Sequence, residues 1–132
     1  TGHSMGGHGA ITLALRHPEQ YRAVSAFAPI ALPSGSDWGR KQLGAYLGAD
    51  EETWRAHDST MLMRDRGWPR DLLVDQGGAD QFLDLLKPEA LAAAMAARRQ
   101  AGVFRMQAGH DHSYWFVASF MEDHVRWHAE RL

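Results

Sequence analysis

Thr1-Gly2-His3-Ser4-Met5-Gly6-Gly7 opens the chain, and residues 2–6 fit the pattern G-x-S-x-G. In that pattern the serine occupies a strained turn between a strand and a helix, and small flanking residues let the backbone turn sharply. The turn pushes the hydroxyl outward, and the backbone N–H of the next residue, here Met5, points into the same space. The helix N-terminus beneath favours developing negative charge. A glycine-rich turn here runs into a helix over 10–16 that stops near His17-Pro18, because proline cannot continue it. Five residues alone match by chance, but here an Asp-bearing loop and a His-bearing loop follow in order.

Downstream, apolar runs alternate with helical stretches. Ala23-Val24-Ser25-Ala26-Phe27-Ala28 reads as a buried strand closed by Pro29, and Leu72-Leu73-Val74 as a second that opens into the loop Asp75-Gln76-Gly77-Gly78-Ala79-Asp80. Val103-Phe104-Arg105-Met106 makes a third. A loop with Pro33 and Gly35 leads into a short helix over 38–47 ended by Gly48, and 50–66 holds one or two short helices with Asp50 and Asp58 as N-caps. The strongest helix starts with Pro88 and Glu89 and ends with Arg98, Arg99 and Gly102, each suited to its terminus. Gly109-His110-Asp111-His112-Ser113 is a loop. Residues 114–132 form a closing amphipathic helix that offers Trp115, Phe116, Phe120 and Val125 for burial.

This alternation predicts an α/β fold with a mostly parallel sheet flanked by helices. Three strands make a thin sheet, and an elbow of this type normally follows a strand. The expectation is that 1–132 is the C-terminal part of a single domain, the N-terminal part of whose sheet is missing from this chain.

Composition narrows the function classes. The 132 residues are 45% hydrophobic and 23% charged with a formal net charge of −2, enough to bury one core and with no sign of disorder. Lys and Arg are dispersed, which argues against nucleic-acid and membrane-surface binding, and no apolar run is long enough to cross a bilayer. The absence of cysteine excludes disulfides, thiolate zinc sites and a cysteine nucleophile, and is compatible with a reducing compartment.

A serine hydroxyl needs a base, and the base an orienting carboxylate, to become nucleophilic at neutral pH. Among the eight histidines, His17, His57, His124 and His128 lie in or beside predicted helices and read as solvated surface. His124 and His128 are four apart and share a helix face, but no third metal ligand accompanies them. His3 and His8 flank the elbow, whereas this order of residues puts the base late in the chain. His110 and His112 follow the last strand, as a base in such a fold should; as His110-Asp111-His112 they also resemble half a metal site, the weaker reading beside an elbow. For the acid, Asp75 ends a strand, Asp80 closes the loop where it can reach across the top of the sheet, and Asp84 lies a turn further on. Spacing decides neither contest.

Several blocks together resemble the S-formylglutathione hydrolase (esterase D) family. They are residues 2–10, Ser25-Ala26-Phe27-Ala28-Pro29-Ile30, Trp38-Gly39, Tyr46-Leu47-Gly48, Asp75-Gln76-Gly77, Asp80-Gln81-Phe82-Leu83 and Asp111-His112-Ser113-Tyr114, in the family's order over almost the whole chain. The resemblance implies an α/β-hydrolase fold, with Ser4 as nucleophile, Asp80 as acid, His112 as base and the Met5 N–H as one oxyanion donor. It places the family's second donor on a loop after an early strand that this chain lacks.

The implied activity is hydrolysis of S-formylglutathione to formate and glutathione through a formyl-serine, in formaldehyde detoxification, with no metal or cofactor. The partner is then a small thioester; the implied setting is cytoplasmic and a homodimer is the assembly considered. Trp38 is the candidate substrate-lining residue, and Arg40 and Lys41 are candidate contacts for glutathione carboxylates. The alternatives are a carboxylesterase or acyltransferase of the same fold, or an inactive piece that exposes a sheet edge to a partner. Loss of one oxyanion donor costs about 3–4 kcal/mol of barrier, so the folded isolated chain is expected to be slowed roughly 100- to 1,000-fold on this ground alone, and the exposed sheet edge is expected to leave it marginally stable and prone to associate. Its elution volume and turnover beside those of the intact protein test this, and a monomer with ordinary turnover would refute it.

Overall fold

Two short apolar runs form the centre of the molecule because helices cover both their faces. The computed structural model describes residues 1–132, with strands β1 (Val24–Phe27), β2 (Leu72–Gly77) and β3 (Gly102–Gln107) hydrogen-bonded in that order and all parallel. The register pairs Val24 with Leu72, Phe27 with Asp75, Leu72 with Gly102 and Gly77 with Gln107. The sequence predicts β2 to end near Val74. It continues through Asp75, Gln76 and Gly77 because β3 offers a ladder partner to each.

The helices are α1 (Met5–Arg16), α2 (Asp37–Leu47), α3 (Glu51–Trp54), α4 (Ser59–Asp65), α5 (Leu83–Leu86), α6 (Pro88–Ala97) and α7 (Tyr114–Ala129). Val24, Ala26, Leu72 and Val74 turn toward α1, α4 and α6, where Ile11, Leu15, Leu62, Met63, Leu91 and Met95 complete the larger core. The alternate positions face α7, where Phe27 and Leu86 pack with Phe116. Asp50 and Asp58 cap α3 and α4 by accepting backbone N–H groups, as predicted; Asp58 also accepts the N–H and hydroxyl of Ser34. No helix is long and apolar enough to cross a membrane.

Two expectations change. Helix α1 starts at Met5 rather than near Ala10: the His8 N–H already donates to the Ser4 carbonyl at 3.0 Å, so the elbow's glycines belong to the first turns. On α7, Trp115 and Val125 are 83% and 59% exposed. The helix turns the stripe Phe116, Phe120 and His124 inward, and the other two fall outside it.

His124, read from sequence as solvated, is buried. It stacks on Phe27 with ring centroids 3.7 Å apart, its Nε2 lies 2.8 Å from Asp75 Oδ2, and its Nδ1 lies 2.8 Å from Ser25 Oγ. His128 also reaches Ser25 Oγ, at 2.9 Å. The fully buried Asp75 carboxylate further accepts from Arg105 and from Gln107 Nε2 at 2.7 Å, so one anion ties β2 to β3 and α7. Burial pushes the Asp75 pKa up, but the hydrogen bonds from His124, Arg105 and Gln107 and the Arg105 charge outweigh it and hold it at about 2, against an ordinary 3.8.

Because this folded-state pKa is depressed, the linked stabilisation, about 2 kcal/mol, is present above the unfolded value and lost as pH falls through about 2. Asp75→Asn in the intact protein is expected to cost about 3–5 kcal/mol in urea titrations at neutral pH. The variant should also show a shallower loss of stability on acidification than the parent. Equal stability of parent and variant would contradict this role.

Candidate active site

Residues 2–4 run beside β1 as a further parallel segment: Phe27 N–H donates to Gly2 O at 2.9 Å, Ser4 N–H donates to Phe27 O at 2.9 Å, and His3 pairs with Phe27. The chain then turns directly into α1, and Ser4 takes φ 57° and ψ −116°. Such a conformation costs a non-glycine residue about 1–3 kcal/mol and persists only where its surroundings hold it. The hold here includes Ile30 N–H, which donates to Ser4 O at 3.2 Å. Gly2 is required by space: a Cβ there would sit 2.3 Å from the carbonyl carbon of Gly6. Met5 N–H, at the first position of α1, has no acceptor within the helix.

The loop after β2 brings Asp80 back over the strand ends. Its side chain is fully buried; Oδ1 accepts the Phe82 N–H at 2.8 Å and Oδ2 accepts Gln76 Nε2 at 2.9 Å. The loop after β3 crosses close above Gly77, where a Cβ would lie 2.4 Å from His110 O, and delivers His112. His112 Nδ1 is 2.6 Å from Asp80 Oδ2, and its Nε2 is 3.0 Å from Ser4 Oγ. The ring is flanked by His3, centroid 4.5 Å away, and by Phe82 in an edge contact at 5.2 Å. Burial lowers the pKa of His3, and the nearby His112 lowers it further against an opposing pull from Asp80, so His3 is held toward its neutral form.

The structure thus brings Ser4, His112 and Asp80 into one hydrogen-bonded chain. The competing candidates lie elsewhere: Asp75 in the buried network, Asp84 exposed on α5, and His110 against Phe116 and Phe120. Trp38, Ile30, Phe82, Leu85 and Leu86 join Ser4 and His112 around a cleft of about 260 Å³. Ile30 and Trp38 also border a second cavity of about 360 Å³ between α1 and α2. Arg40 is already engaged, paired with Glu51, donating to Ser34 O at 3.3 Å and lying over the Trp54 ring. The sequence alone gives Gln76, His3 and Phe82 no role; the one signal it offers is polar Gln76, two residues beyond the apolar run 72–74.

A serine on a strand–turn–helix elbow, facing an imidazole held by a buried carboxylate at the C-terminal edge of a parallel sheet, defines an α/β hydrolase. The Esterase family model matches residues 1–127, and the chain belongs to that family. It is 72% identical over 132 residues to the S-formylglutathione hydrolase of Paracoccus denitrificans, covering 100% of this chain and 47% of the relative. The S-formylglutathione hydrolase of Rattus norvegicus is 48% identical over 134 residues, covering 99% of this chain and 48% of the relative. A solved S-formylglutathione hydrolase from Agrobacterium tumefaciens superposes with a TM-score of 0.92 at 48% identity, over 98% of this chain and 47% of that one. The chain spans about half the length of these relatives.

Gly2→Ala is expected to destabilise the intact protein by about 1–3 kcal/mol, since backbone rather than a flexible side chain occupies the space its Cβ needs. A urea midpoint equal to that of the parent would show that the elbow tolerates a Cβ there.

Proposed function

We propose that this chain is the C-terminal part of a single α/β-hydrolase domain and carries the nucleophile, base and acid of a serine thioesterase that hydrolyses S-formylglutathione. The observation that carries the reading is the path from Ser4 Oγ through His112, at 3.0 Å, to Asp80, at 2.6 Å. The choice of thioester is supported by 72% identity, along the whole chain, to a relative named S-formylglutathione hydrolase.

In the neutral imidazole, His112 Nδ1–H donates to Asp80 and the Nε2 lone pair accepts the Ser4 hydroxyl proton. Ser4 Oγ attacks the formyl carbon as its proton passes to His112 Nε2. The tetrahedral oxyanion faces the Met5 N–H at the start of α1, a donor worth about 3–4 kcal/mol of barrier. Collapse breaks the C–S bond and leaves a formyl ester on Ser4, and the departing glutathione thiolate takes the proton from His112 Nε2, so that the imidazole is neutral again. The thiolate is a good leaving group and needs little acid assistance. Water then gives a proton to His112 and attacks the ester; the ester C–O bond breaks, formate departs and Ser4 regains its proton. Asp80 holds the imidazole in the productive tautomer and offsets its positive charge. Trp38 forms part of the wall around the acyl group. No step calls for a metal or cofactor. The cytoplasmic setting belongs to the same reading and fits a cysteine-free chain with a thiol product; gel filtration of the intact protein tests the homodimer.

In the intact protein, Ser4→Ala is expected to lower kcat by at least about 10,000-fold without changing the melting temperature. Retained turnover would remove Ser4 from its role. The parent should show a higher kcat/KM for S-formylglutathione than for an aryl acetate, and a clear preference for the acetate would favour a carboxylesterase.

A further inference from the structure

We infer that Gln76 is a positioning residue for this reaction: its side-chain amide fixes the Asp80 carboxylate that orients His112. The inference rests on the Ser4–His112–Asp80 reading above. Gln76 lies one residue before the end of β2 and is wholly buried. Its Nε2 donates to Asp80 Oδ2 at 2.9 Å, the same oxygen that faces His112 Nδ1 at 2.6 Å, and to Gly77 O at 3.2 Å. The opposite amide orientation would set a carbonyl oxygen against a carboxylate, so electrostatics dictates which end faces Asp80.

The other end of the amide is informative. Gln76 Oε1 is buried and has no hydrogen-bond partner. An orphaned buried acceptor costs about 1–3 kcal/mol, a cost that an apolar side chain of similar length would avoid. Stability alone therefore argues against glutamine at this position. What the residue supplies in return is the donor aimed at Asp80.

That donor has a definite task. Asp80 is anchored at Oδ1 by the Phe82 N–H alone. The last torsion of an aspartate is broad, so a single anchor leaves the carboxylate free to swing. Gln76 is the second anchor and keeps Oδ2 in line with His112 Nδ1. When His112 takes the serine proton, a carboxylate that has swung away offers neither orientation nor compensating charge. Gln76 is not among the residues lining the cleft at Ser4, so its loss should act on kcat and spare KM.

The test uses the intact protein with S-formylglutathione and with an aryl acetate, beside Ser4→Ala. Gln76→Met keeps the length and removes both the donor and the orphaned oxygen. It is expected to melt at the parental temperature or above it, with kcat lowered about 10- to 100-fold and KM within about twofold. Gln76→Leu likewise removes the donor with a side chain of similar volume, and should lower kcat about as far. If Ser4→Ala keeps turnover, the underlying hydrolase reading fails, whatever Gln76 does. If Ser4→Ala is inactive while folded Gln76→Met keeps the parental kcat, or changes KM alone, the positioning role is overturned. Should Gln76→Met fail to fold, parental kcat in folded Gln76→Leu overturns it equally.

Discussion

The backbone of Ser4 is locked in a positive-φ conformation between a strand and a helix, and the site depends on that lock. Its N–H is held by the Phe27 carbonyl of β1, its carbonyl by the N–H groups of Ile30 and His8, and the chain on either side by Gly2 packed over Gly6. The turn therefore cannot relax without breaking the β1 pairing or unwinding the start of α1. Strain of about 1–3 kcal/mol is small beside that hold. The consequence is a hydroxyl fixed at the sheet edge with a helix N-terminus beneath it.

Parallel pairing does the rest. Because β1, β2 and β3 run in one direction, the loops that follow β2 and β3 emerge at the edge where Ser4 stands. One loop brings Asp80, the next brings His112, and the tight crossing above Gly77 fixes their separation. Asp75, within β2, and Asp80, in the loop after it, have different partners. Asp75 points to the α7 side and binds Arg105, Gln107 and His124, holding sheet and helix together. Asp80 faces the His112 imidazole at 2.6 Å. A short stretch of chain thus supplies both the buried Asp75 network and the Ser4–His112–Asp80 hydrogen-bonded chain through strand alternation and one turn.

Much of this is readable from the residues, and the gaps have physical causes. The apolar runs at 24–27 and 72–74 mark central strands because helices cover both faces, and Ser4 with its glycines marks the elbow. The residues alone leave Asp75, Asp80 and Asp84 in contention, and His110 against His112. The direction of a loop side chain is set by turn geometry and by crossings such as that over Gly77, which leave no periodic trace. Family resemblance singles out Asp80 and His112, the pair that meets Ser4 in space. His124 looks like a surface residue because its partners, Ser25 and Asp75, are distant in sequence and meet it only through register and packing. The early start of α1 is hidden by glycines with poor helix propensity, which the turn and its tertiary contacts override. Gln76 resembles any polar residue at a strand end until its amide is seen against Asp80.

Whether Ser4 Oγ is the nucleophile on which His112 and the Met5 N–H converge is decided by a crystal structure of the intact protein after reaction with an aryl phosphonate. Phosphorus is expected to be bonded to Ser4 Oγ, with a phosphoryl oxygen accepting the Met5 N–H and His112 still hydrogen-bonded to Asp80. Phosphorus on another residue, or a Ser4 adduct with the phosphoryl oxygen turned away from Met5 and His112 parted from Asp80, would contradict that arrangement.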